Sequence, residues 1–132
     1  MNQLQLPTWP AVALGSDTFS HAHIALTALA TAVIGAALAV ALLQGRARVL
    51  EAVPVAVISG LAVYLWRVSA NMPQLNNDGL PGYSANDWLA PLVVFVALTL
   101  YADLRPPSDL QRYRRVRALA TVAAFAVNVI TI

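Results

Sequence analysis

The chain has 132 residues, 59% of them hydrophobic and only 11% charged, with a formal net charge of +2. A soluble domain carries roughly 25% charged residues, so this composition excludes a chain that covers itself with polar surface and makes lipid its solvent. The absence of cysteine excludes disulfides, thiolate metal sites and cysteine nucleophiles. All eight basic residues are arginine, so no side chain can form a Schiff base with an aldehyde cofactor.

A bilayer core asks for about 20 mostly apolar residues per helix. The first run that qualifies covers residues 22–43 and contains no charge. No basic residue precedes it and it is longer than the apolar region of a signal peptide, so it reads as a retained span. Ala25, Ala28, Ala32, Gly35, Ala36 and Ala39 place a small-xxx-small stripe on it, the pattern that lets backbones approach closely in lipid. Thr27 and Thr31 lie one turn apart and can bond back to their own helix. After a link over 44–51 with Arg46 and Arg48, the second run covers 52–70. Pro54 is expected in its first turn, where a missing N–H costs little. Ser59 and Gly60 extend the close-packing face, and the run closes on Tyr64, Trp66 and Arg67.

The segment 71–86 is dense in turn formers, with Asn77-Asp78-Gly79 and Pro81-Gly82 inside it, and reads as an ordered cap. The third run covers 87–104 and is stopped by Pro106-Pro107. A basic link over 105–115 leads into the fourth run, placed at 112–132, with Ser108 or Asp109 as its cap. The strictly apolar parts of the last two runs, about 87–102 and 116–132, are short for a span, so these helices stand nearly upright or reach into the interface.

Arginines set the orientation. Arg46, Arg48, Arg105, Arg112, Arg114, Arg115 and Arg117 flank one side of the apolar runs and Arg67 alone the other. By the positive-inside rule the seven face the cytoplasm and both termini face away from it. The expected fold is therefore all-α: a single integral membrane domain, a bundle of four transmembrane helices with N-terminus and C-terminus outside. The basic residues serve this topology rather than a nucleic-acid partner.

Four groups are candidates for chemistry. His21 and His23, with Asp17, stand at the outer end of the first helix and form an incomplete metal-ligand set. No histidine occurs in the other three helices, which excludes haem ligation by paired histidines across the bundle. Arg67, Asp78 and Asp87 form an outer polar cluster, in which Arg67 either snorkels to the headgroups or pairs with one of the acids. Asn128 is the strongly polar side chain within an apolar stretch, suited to a structural hydrogen bond. Arg112, Arg114, Arg115 and Arg117 make an inner-face contact with anionic lipid or an acidic partner.

Asp87-Trp88-Leu89, with Pro91-Leu92 following, locally resembles the opening of the third helix of microbial rhodopsins. The spacing from Asp87 to Pro91 is two residues shorter than in that family, and Tyr83–Asn86 stand where its arginine would lie. With four helices and no lysine, the chain cannot hold retinal by that family's chemistry. Capping instead accounts for Asp87: Ser84 or Asn86 starts the helix, Asp87 faces the positive end of its dipole, and Trp88 anchors in the interface.

The function expected on these grounds is that of a small non-catalytic accessory subunit of a larger membrane complex, respiratory or photosynthetic, packed through its small-residue faces. It is not expected to be an enzyme; its partners are the lipid bilayer and other membrane subunits. A homo-oligomeric transporter or channel is the alternative, with Asn128, Ser59 or Thr31 lining a path between chains. A membrane protein that binds a metal or cofactor through its outer histidines is the third, and the sequence names no particular cofactor.

Overall fold

The computed structural model describes residues 18–78 and 84–131. These form five helices: α1 (His21–Leu42), α2 (Gly45–Ser69), α3 (Pro73–Asn76), α4 (Ala85–Leu104) and α5 (Leu110–Ile130). The four long helices pack as a ring in which α1 and α4 each touch both α2 and α5. α1 and α4 begin, and α2 and α5 finish, at one end of the ring, here called the Asp87 end. The opposite end is rich in arginine.

α1, α2 and α4 are each long and apolar enough to cross a membrane, and only 33% of the most apolar stretch of each is buried. The remainder presents large side chains outward, among them Leu26, Leu29, Val53, Leu61, Leu65 and Leu92. Such a surface suits hydrocarbon, and the chain is a multi-pass membrane protein. α5 is not among these three helices, because Arg112, Arg114, Arg115 and Arg117 stand in its first turns.

Mostly apolar side chains fill the ring at mid-height, with the buried hydroxyls of Thr31 and Ser59 among them. Val55, Val63, Val94, Leu98, Val116, Ala120 and Ala124 are buried there. Small residues bring α1 and α2 together: a Cβ built on Gly60 would lie 2.9 Å from the Cβ of Ala32, and one on Gly35 would lie 3.3 Å from Ser59 Oγ. Ala28, Gly35, Ala39 and Ser59 are buried in this contact, whereas Ala25 is exposed. Much of the small-residue stripe is therefore spent inside the chain.

Helix boundaries differ from the sequence expectation in one instructive place. α2 starts at Gly45, not at 52, so the link expected over 44–51 shrinks to Leu43 and Gln44. Gly45 takes φ of 58°, a conformation that glycine adopts at little cost, and the chain reverses there. Arg46, Arg48 and Glu51 then ride on the first turns of a helix whose apolar pattern begins later. Pro54 consequently lies inside α2 rather than at its start. The other end of the chain shifts less: α4 and α5 each begin two residues before the expected 87 and 112. The segment expected as a loop contains the short α3, and the second link contracts to 105–109.

Candidate functional site

Arg67, Ser84, Asn86, Asp87 and Asn128, all buried, gather at the Asp87 end. Ser84 is extended (φ −118°, ψ 169°) and starts α4. Asp87, one turn in, reaches back, and its Oδ2 accepts the Ser84 backbone N–H at 2.6 Å and the Ser84 hydroxyl at 3.1 Å. A carboxylate is favoured here because the first turn of a helix exposes unpaired N–H groups and carries positive partial charge. Arg67 occupies the mirror position, the last turn of the antiparallel α2, where the helix end favours a cation. Its Nη2 donates to Asp87 Oδ1 at 3.3 Å, with the two side chains only 2% and 0% exposed.

Arg67 is held on two further sides. Its Nε donates to Asn128 Oδ1 at 2.8 Å, and its guanidinium carbon lies 5.3 Å from the centroid of the Phe19 ring. Asn128 in turn donates through Nδ2 to the Ala124 carbonyl at 2.6 Å. Three helices thus meet at one guanidinium, whose Nη1 is buried without a hydrogen-bond partner. Desolvating such a pair costs about as much as its attraction returns, so its contribution is geometric more than energetic.

A second layer ties in the remaining elements. Trp66 Nε1 donates to Asn86 Oδ1 at 3.1 Å, and Asn86 Nδ2 donates to the Ala70 carbonyl and to Asn76 Oδ1. Asn71 exchanges two bonds with the backbone of Phe19, at 2.9 and 2.8 Å. The hydroxyls of Thr27 and Thr131 lie 3.2 Å apart, joining α1 to the end of α5. Every helix contributes to this closed network.

The other sequence candidates separate. Asp78 stands outside the Arg67 pair and accepts the Ala85 N–H at 2.9 Å. His21 is exposed; His23 stacks on Phe19 with ring centroids 5.0 Å apart, and its Nε2 is buried without a hydrogen-bond partner. Asp17 lies outside the described residues, and among those described no three His, Asp or Glu side chains gather as a metal site. Asn128, Ser59 and Thr31 are all buried inside the chain, where Thr31 donates to the Thr27 carbonyl at 2.9 Å. A path between chains would need other residues to line it.

At the opposite end Glu51 is buried and accepts the Tyr101 hydroxyl at 3.0 Å. The buried Tyr113 hydroxyl donates to the Leu98 carbonyl at 2.9 Å, pinning α5 to α4. Arg112 pairs with Asp109, the N-cap of α5, at 3.0 Å, while Arg114 and Arg115 are exposed. Arg117 behaves otherwise: Nη1 donates to Thr99 Oγ1 at 3.0 Å and its guanidinium carbon lies 4.5 Å from the centroid of Phe95. Glu51, Tyr101 and Tyr113 were not singled out from sequence, and Asn86 was named only as an alternative cap of α4, a place that Ser84 takes. Asn86 and Glu51 had one available signal, a polar residue beside an apolar helix start.

No protein-family model, curated protein or solved structure matches this chain.

Proposed function

We propose that the protein is a four-span, non-catalytic subunit of a larger membrane complex, with α5 as the fourth span and both termini on the side away from the cytoplasm. The observation that carries the reading is the division of polar groups. Arg67, Asp87 and Asn128 are spent on one another at one end, mainly aliphatic side chains fill the middle, and the outer faces keep large aliphatic groups for lipid or neighbouring helices. A chain built in this way offers surface and rigidity rather than a reactive group or a conduit.

α5 supports the fourth span through its length and its packing. Its 21 residues run antiparallel to α4, its arginines cluster in the first turns, and the stretch from Ala118 onward carries no charge. Arginine bias supports the orientation.

Native mass spectrometry of the protein extracted from its own membrane in mild detergent tests the subunit reading. The expected result is an assembly containing other polypeptides at fixed stoichiometry. A monomer or a homo-oligomer alone would overturn it.

A further inference from the structure

Arg117 stands apart from the other arginines of α5. The α4–α5 link spans 105–109, so Arg117 pairs in height with the middle of α4 rather than with its end. Its two contacts make the depth explicit. Thr99 lies five residues and Phe95 nine residues before the end of α4 at Leu104, which is about 8 and about 13 Å along the helix axis. The guanidinium therefore does not run back toward Asp103 and Arg105, where headgroups would lie. It is held inward, and its Nε is buried without a hydrogen-bond partner. Among the described residues no acid reaches it; the two salt bridges there are Arg67–Asp87 and Arg112–Asp109.

The surroundings form a seam. Along α5, Arg117, Thr121 and Phe125 are spaced four apart and share a face. Across from them, Trp88, Leu92 and Phe95 line the same side of α4. Between the two helices lies an open apolar groove of about 350 Å³, bounded by Trp88, Pro91, Leu92, Thr121, Val122 and Phe125. Leu92 and Val122 are exposed along it. Arg117, one turn before the groove residue Thr121 on α5, sets one cation beside these aliphatic and aromatic walls, an arrangement that selects an apolar occupant carrying one negative charge. An intramembrane charge lacking a counter-ion in its own chain is costly and is relieved by a partner at the same depth.

Resting on the subunit reading above, we infer that the α4–α5 seam docks a transmembrane helix of a different polypeptide, which places an Asp or Glu carboxylate against Arg117. A second copy of this chain does not supply that acid from its described residues. Glu51 and Asp87 are buried and bonded, Asp103 and Asp109 sit at helix ends, and Asp78 lies in the segment before α4. A lipid phosphate lies at the plane of Asp103 and Arg105, about two turns away along α4.

The test reconstitutes the full chain, labelled with a donor dye at Ser108→Cys, into phosphatidylcholine vesicles. Acceptor-labelled synthetic Leu/Ala helices of about 23 residues are added, one with a Glu about 10 Å inside the interface and one with Leu at that position. The expected result is energy transfer to the Glu helix, at least about tenfold weaker association of the Leu helix, and a similar loss when the Glu helix meets Arg117→Gln. Arg117→Lys should retain much of the association and Arg114→Gln all of it. Equal binding of the two helices overturns the inference without relying on any variant's folding. Abolition of binding by added phosphatidylglycerol also overturns it, because Arg117 would then be a lipid-phosphate site. A native complex that survives Arg117→Gln refutes this contact while leaving the subunit reading intact, whereas absence of any complex refutes the subunit reading whatever the peptide does.

Discussion

At the scale of single residues, Arg67 determines how the Asp87 end is built. It is a buried cation held from two helices, by Asp87 on α4 and Asn128 on α5, with Nη1 left without a partner. Removing one charge leaves the other desolvated and unpaired, which costs about 3–5 kcal/mol, whereas replacing both with apolar groups is often neutral. Arg67→Met and Asp87→Leu are therefore each expected to lower the detergent unfolding midpoint sharply, and the double variant to recover most of the loss. A double variant as unstable as the sum of the two would contradict a coupled pair. Asn128→Leu should cost about 1–3 kcal/mol, the penalty for a buried charged donor left without its acceptor, measured by the same unfolding assay. In the sequence, pairing with Asp87 stood as one of two readings for Arg67. Phe19 was invisible as its neighbour because that contact crosses from the segment before α1 to the end of α2. Arg117 was grouped with Arg112, Arg114 and Arg115 by proximity in sequence, and only the register of α4 against α5 separates it from them.

Among the elements, α1 and α2 make the closest approach, and glycine permits it. A Cβ at Gly60 meets Ala32 at 2.9 Å and the Ala28 carbonyl at 3.3 Å, so a side chain there must push the helices apart. Overpacking of this kind costs about 1–3 kcal/mol. Gly60→Val is expected to destabilise by that order, with partial rescue by Ala32→Gly, while Ala25→Val on the exposed side of the same stripe should have little effect. Equal effects at positions 25 and 60 would show that the stripe faces outward instead. The small-xxx-small spacing was legible, but not whether its partner lay in this chain. The start of α2, seven residues before the expected 52, was not legible, because Arg46, Arg48 and Glu51 break the apolar pattern there and the reversal at Gly45 has no hydropathy signature. The caps of α4 and α5 were easier to read, since Ser84 with Asp87 and Asp109 after two prolines are local signals.

For the whole molecule, composition and the length of the apolar runs were sufficient to identify a multi-pass membrane protein, because lipid imposes a length and polarity rule that any spanning helix must obey. Which helices touch, and which polar groups find one another across the ring, depends on register and rotation that one sequence does not display. The proposed role follows from that arrangement: a rigid element closed at the Asp87 end, packed mainly with aliphatic side chains in the middle, and bearing on its α4–α5 face Arg117, which has no counter-ion among the described residues. All of this presupposes that α5 crosses the membrane with the other three long helices, so that the two ends of the ring lie on opposite sides. The chain has no cysteine, which makes the direct measurement simple. Single cysteines at Asn77, at Ser108 and appended at the C-terminus would be labelled in intact cells with a membrane-impermeant maleimide. The account predicts labelling at Asn77 and at the C-terminus from outside, and at Ser108 only after the membrane is permeabilised. Labelling of Ser108 from outside, or a C-terminus protected like Ser108, would contradict it.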